Sequence, residues 1–136
     1  MTWWLYQMSI YSKKGWSHDD YEKNVCEGYP TNLSVCTIRP KDLKPQKGDM
    51  IVPFFAWTRD SQGGICGWGE VTEYDEEGES IDFEPKKPSD HLKMKPILND
   101  TVKDITKRIR LGFFQGNMWE IRPDLLIPIR QMIEQV

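Results

Sequence analysis

Two short apolar runs, each opened by a glycine turn, constrain this chain more than anything else in it. Lys47-Gly48-Asp49 leads into Met50-Ile51-Val52-Pro53-Phe54-Phe55-Ala56-Trp57, and Gly64-Ile65-Cys66-Gly67-Trp68-Gly69-Glu70-Val71 follows after six residues of loop chemistry. Apolar runs of this length between turn formers read as strands. Glycines within a strand mark places where another backbone or a ligand comes close. Trp57 and Trp68 stand near the two ends of this hairpin. Large flat side chains beside Gly-thinned strands suit a pocket for a planar ring.

The rest of the chain extends this pattern. Residues 3–10 read as a first strand and 118–121 as a last one, with a hairpin of 64–74 and 80–84 turned by Asp75-Glu76-Glu77-Gly78. Pro53 places part of the 50–57 strand at an edge or a bulge. Residues 91–98 alternate Leu92 and Met94 with lysines, as a half-buried strand does. Helical segments are expected at 17–25, at 99–110 and at 128–135, with one turn at 41–45 and loop chemistry from 26 to 34. Strands outnumber helices and run in hairpins. A single α+β domain over residues 1–136 follows, a small barrel of mostly antiparallel strands with a few peripheral helices.

Composition excludes several classes. Cys26, Cys36 and Cys66 are an odd set without CxxC spacing, which suits reduced thiols in the cytoplasm rather than a disulfide frame or a zinc site. The opening residues lack a basic head and a long apolar run, so neither a signal peptide nor a membrane anchor is expected. No nucleophile-elbow, phosphate-loop or zinc-hydrolase pattern occurs, and neither metal nor cofactor is expected. His18 and His91 stand isolated in the sequence, and Cys66 reads as a buried small hydrophobe.

Charge is uneven. Net charge is −3, yet eight acids and no base lie between positions 70 and 84, leaving 13 acids against 18 bases elsewhere. Lys86, Lys87, Lys103, Lys107 and Arg108 belong to that excess and are candidates for a phosphate-facing patch. The plainer alternative is a solvated surface with an acidic hairpin tip.

The aromatic set points the same way. Phe55 and Trp57 share one strand face at period two. Trp16 follows a glycine, Tyr29 lies in a Gly/Pro/Asn loop, and Phe113, Phe114 and Trp119 bracket Gln115-Gly116-Asn117. Rings beside amides suit a flipped base, stacked by the rings and hydrogen-bonded along its edge by Asn or Gln. Core filling accounts for several of these rings.

Four motifs in order resemble the EVE domains. They are Trp4-Leu5-Tyr6-Gln7, the Lys47-Gly48-Asp49 turn before Ile51–Phe55, the glycine-rich 64–71 strand, and Asn117-Met118-Trp119-Glu120-Ile121-Arg122-Pro123 with a helix after it. The resemblance covers nearly the whole chain. It implies a PUA-like pseudo-barrel, related to the YTH readers of methylated adenine and to the ASCH domains, with a pocket for a modified nucleobase. The family's pocket loop corresponds to 26–32, which keeps Gly28 and Asn32 but has no Trp. Tyr29 or Trp16 takes that ring's place.

The expectation is a reader of a modified base in DNA or RNA, without chemistry of its own, with an effector protein as a candidate partner. Trp16, Tyr29, Phe55 and Trp57 would form an aromatic cage. Asn32, Gln115 and Asn117 would bond the base edge, and Lys86, Lys87, Lys103, Lys107 and Arg108 would hold phosphate. The alternatives are an ASCH-like hydrolase of a modified nucleoside, with Glu70 and Lys47 or Lys86 as its only candidate groups, and a small protein-interaction module.

Overall fold

The computed structural model describes residues 1–8, 21–26, 33–35, 38–39, 42–55, 64–87, 91, 118–121 and 123–134. Eight strands make one sheet: β1 Trp3–Met8, β2 Leu33–Ser34, β3 Ile38–Arg39, β4 Met50–Phe55, β5 Gly64–Ile65, β6 Gly69–Asp75, β7 Ser80–Pro85 and β8 Met118–Glu120. Their order is β2-β7-β6-β4-β1-β8-β3, with β5 also paired to β4. The sheet is mixed. β1 and β4 run parallel, as do β3 and β8, and the other pairs are antiparallel.

The sheet curls back on itself. β2 and β3 are its two edges, yet only residues 35–37 separate them in the chain. That link spans at most about 14 Å, whereas six strand spacings of about 4.8 Å would make a flat sheet about 29 Å wide. The Tyr6 hydroxyl of β1 donates to the Ser34 carbonyl of β2, four strands away, which a flat sheet forbids. Among the described residues no ladder joins the two edges, so the barrel stays open.

The curl gives the sheet two apolar faces, and β1 is buried on both. Leu5 packs outward with Val52, Phe54 and Trp119 beneath the helix α1, Pro123–Glu134, which contributes Ile129 and Ile133. Trp4, Tyr6 and Met8 face inward with Ile51, Val71, Phe83 and Met118. Helix residues 126, 129 and 133 lie on one stripe, as an amphipathic helix requires. The Arg130 guanidinium lies 5.6 Å from the Trp3 ring centre, a cation–π contact that fastens the helix to β1.

Several sequence expectations need correction. Residues 64–74 are two strands, with an irregular break at 66–68, and not one. Of the helical turn expected at 41–45, residues 43–45 take no helical conformation. The closing helix begins at Pro123 and not at 128, so it is Pro123 that occupies the first turn, where a missing N–H costs nothing. β2 lies inside the stretch expected to be loop. Residues 22–26 form a single π-helical turn.

Pro53 sits in the central strand, not at an edge but opposite a bulge, with residues 52–53 facing 66–68, and the reason is geometric. Met50 N–H bonds the Thr2 carbonyl on the β1 side, while the Asp49 and Pro53 carbonyls accept from Val71 and Cys66 on the other side. Pro53 therefore turns its missing N–H towards the 66–68 break, where no ladder bond is needed. The expected strand and helix at 91–98 and 99–110 lie outside the described residues, apart from His91, which is a turn residue. None of the described helices is long and apolar enough to cross a membrane.

Candidate functional site

The Gly-Asp turn is a structural hub. Gly48 takes φ +96°, a conformation open to glycine at no cost. Asp49 is 6% exposed and accepts three hydrogen bonds: from Thr2 N–H at 3.0 Å, Gln46 N–H at 2.9 Å and Trp4 Nε1–H at 3.1 Å. A buried carboxylate with several donors is well held. This turn aligns β1 and β4 in parallel. Gly48 N–H also bonds the Val71 carbonyl at 2.9 Å, fixing β6 alongside.

The parallel register brings four chain ends together. Met8 at the end of β1 stands opposite Phe55 at the end of β4, and Phe55 stands opposite Gly64 at the start of β5. β8 runs the other way beside β1, with its first residue Met118 opposite Tyr6. The segments after Met8, after Phe55 and before Met118 therefore leave or rejoin the sheet at one end. These segments carry Trp16, Trp57, Gln115 and Asn117.

Trp16, Tyr29, Asn32, Trp57, Gln115, Asn117, Lys103, Lys107 and Arg108 themselves lie outside the described residues. Phe55 is placed by its backbone at the end of β4. Trp119 of the aromatic set is core, buried and tilted against Phe54 with ring centres 6.3 Å apart.

The glycines of the 64–71 run have internal causes. A Cβ on Gly67 would come within 2.2 Å of His91 Nδ1 and 2.4 Å of the Tyr21 hydroxyl. A Cβ on Gly69 would meet the Phe83 ring at 2.3 Å and the Glu84 carbonyl at 2.5 Å. Cys66 is fully buried, and its thiol donates to the Pro53 carbonyl at 3.3 Å.

His91 is not isolated in the fold, and sequence reasoning missed it. It is 4% exposed and lies between two rings, with centres 5.2 Å from Trp68 and 5.9 Å from Tyr21. Nε2 lies 2.7 Å from the Lys86 carbonyl, an acceptor only, so that nitrogen carries the proton. Nδ1 then accepts from the Tyr21 hydroxyl at 2.9 Å. The Trp68 N–H, 3.5 Å from Nε2, is a poor second candidate. Trp68 thus stacks on a ring of its own chain. Gly67 was the one signal available, because it shows that something large approaches there.

The lysines divide. Lys86 Nζ pairs with Glu70 at 3.4 Å, and both side chains are about half-exposed, so this is an ordinary surface ion pair worth about 0–1 kcal/mol. It is not a charged pair on a pocket floor, as a hydrolase would need, and Lys47 is exposed at its turn. Lys87 is exposed with φ +47°. The acids of the β6–β7 hairpin point largely to solvent, with Glu76 paired to Lys44. The hydrogen bond from Lys44 to Glu76 raises the lysine's pKa, and burial followed by the Glu76 charge raises that of Tyr74. The exposed Lys44 pair adds a small stabilisation below pH 10 that fades as pH rises further, and ionising Tyr74 above pH 10 destabilises the fold. Among the described residues no group of three or more His, Cys, Asp or Glu could hold a metal ion.

No family model, curated protein or solved structure matches the chain.

Proposed function

We propose that this is an EVE-like domain of PUA-like fold that reads a modified base in DNA or RNA in the cytoplasm, without catalysing a reaction. The observation that carries the reading is the convergence at one end of the sheet. Met8, Phe55, Gly64 and Met118 lie at one end of the sheet, and in the sequence Trp16, Trp57, Gln115 and Asn117 follow or precede these strand ends. Loops gathered on a rigid scaffold are where binding residues concentrate. The Gly-Asp turn supports the family likeness, because its glycine and its carboxylate both have defined work in aligning β1 and β4. Trp16, Tyr29, Phe55 and Trp57 stack on the base; Asn32, Gln115 and Asn117 bond its edge; Lys86, Lys87, Lys103, Lys107 and Arg108 hold phosphate. An effector protein is the partner that would act on the recognised site.

Titrating tryptophan fluorescence with a panel of modified nucleosides tests this. At least one nucleoside should bind, and Tyr29→Ala and Trp57→Ala should each cost about 1–3 kcal/mol of binding while the fold survives. A Trp57 that instead plugs the barrel end would show as unchanged affinity with a stability loss of about 3–5 kcal/mol. Binding unaffected in both variants removes these rings from the site.

A further inference from the structure

The connector after β7 is held more tightly than its exposed position requires. Lys86 is fixed through its backbone on both sides: its N–H donates to the Trp68 carbonyl at 3.0 Å, and its carbonyl accepts from His91 Nε2–H at 2.7 Å. His91 is in turn fixed by Tyr21 and by the two flanking rings. The next residue, Lys87, takes φ +47° although it is a lysine and precedes Pro88. A side chain at positive φ is disfavoured, and the residue before a proline is driven towards extended conformations. Such a conformation persists only where the surroundings over-determine it; Glu79 takes it at the β6–β7 turn, and outside turns it clusters at functional sites such as ligand clamps. The Lys86 ammonium is already paired with Glu70, while Lys87 presents its charge to solvent.

We propose that Lys87 is a preformed phosphate contact of the nucleic-acid site and that His91, acting through the Lys86 carbonyl, is its positioning residue. The proposal rests on the reader function above. A lysine whose backbone is fixed before binding loses less freedom when phosphate arrives than one on an unconstrained backbone, and so adds more.

The test is binding of a fluorescein-labelled single-stranded oligonucleotide, in RNA and DNA forms, across a salt series. Lys87→Ala should weaken binding about three- to tenfold and flatten the slope of log Kd against log salt by roughly one unit. His91→Ala should do the same, and adding Lys87→Ala to it should change nothing more. His91→Gln, which keeps an N–H for the Lys86 carbonyl, should restore most of the loss. Lys44→Ala, which removes an exposed lysine paired with Glu76 of the acidic hairpin, should leave affinity and slope unchanged. If His91→Ala fails to fold, Lys87→Gly still decides. Glycine accepts φ +47° without strain, so it should raise the melting temperature yet weaken binding. Wild-type binding that Lys87→Ala and Lys87→Gly leave unaltered overturns this inference and spares the reader function. A wild-type protein that binds neither oligonucleotide overturns both.

Discussion

At the residue scale, two positions explain the motifs that drew attention to this chain. Asp49 gathers donors from three points of the sequence, 2, 4 and 46. Removing its carboxylate leaves the Trp4 indole N–H buried without its acceptor, a loss that costs about 1–3 kcal/mol by itself. Asp49→Ala should therefore destabilise by about 2–4 kcal/mol in urea unfolding, and Asp49→Asn by less, since one oxygen remains. Gly67 is the second position. Its missing side chain leaves room for His91 and Tyr21, so Gly67→Ala must push the histidine off the Lys86 carbonyl. A thermal melt should show a loss comparable to overpacking elsewhere, about 1–3 kcal/mol. The same substitution at Gly48 fails for a different reason, φ +96°, with open space around it.

At the element scale, the sheet is legible where its signals are local. The strands at 50–55, 80–85 and 118–120 carry apolar runs or alternation, with turn formers beside them. The hairpin turn is marked by Asp75 and Gly78, whose N–H bonds the Asp75 carboxylate at 3.0 Å. Long-range choices were not legible. Nothing in 3–8 says that it pairs in parallel with 50–55, because the Asp49 carboxylate that aligns them lies 45 residues from its Trp4 partner. β2 and β3 have two residues each, too few for any period to show. His91 finds Tyr21 70 residues away, so its burial could not be read from its own neighbours. Of the expected base-binding set, only Phe55 falls among the described residues. The closing helix offers a direct contrast. Ile129→Ala should cost about 2–4 kcal/mol, as truncation of a buried core residue does, whereas Ile127, 64% exposed, should tolerate alanine within about 0.5 kcal/mol.

At the scale of the whole molecule, the curl of the sheet and the division of charge bear on function together. The acids gather on the β6–β7 hairpin, which extends beyond the start of β4, while the rim where β1, β4 and β8 meet lies at the opposite end of β4. Polyanions would be repelled from the first end and admitted at the second. Replacing Lys107 and Arg108 by alanine should then weaken oligonucleotide binding irrespective of sequence and lower the salt slope by roughly one unit per lost phosphate contact. The most direct measurement of the central claim is the affinity of one single-stranded oligonucleotide prepared with and without a modified base, for each modification in turn, at low and high salt. Base reading predicts that one modified form binds at least about tenfold more tightly than its unmodified twin, with that ratio kept at high salt because stacking and edge bonds are not screened as phosphate contacts are. Equal affinity for every modified and unmodified pair would contradict it.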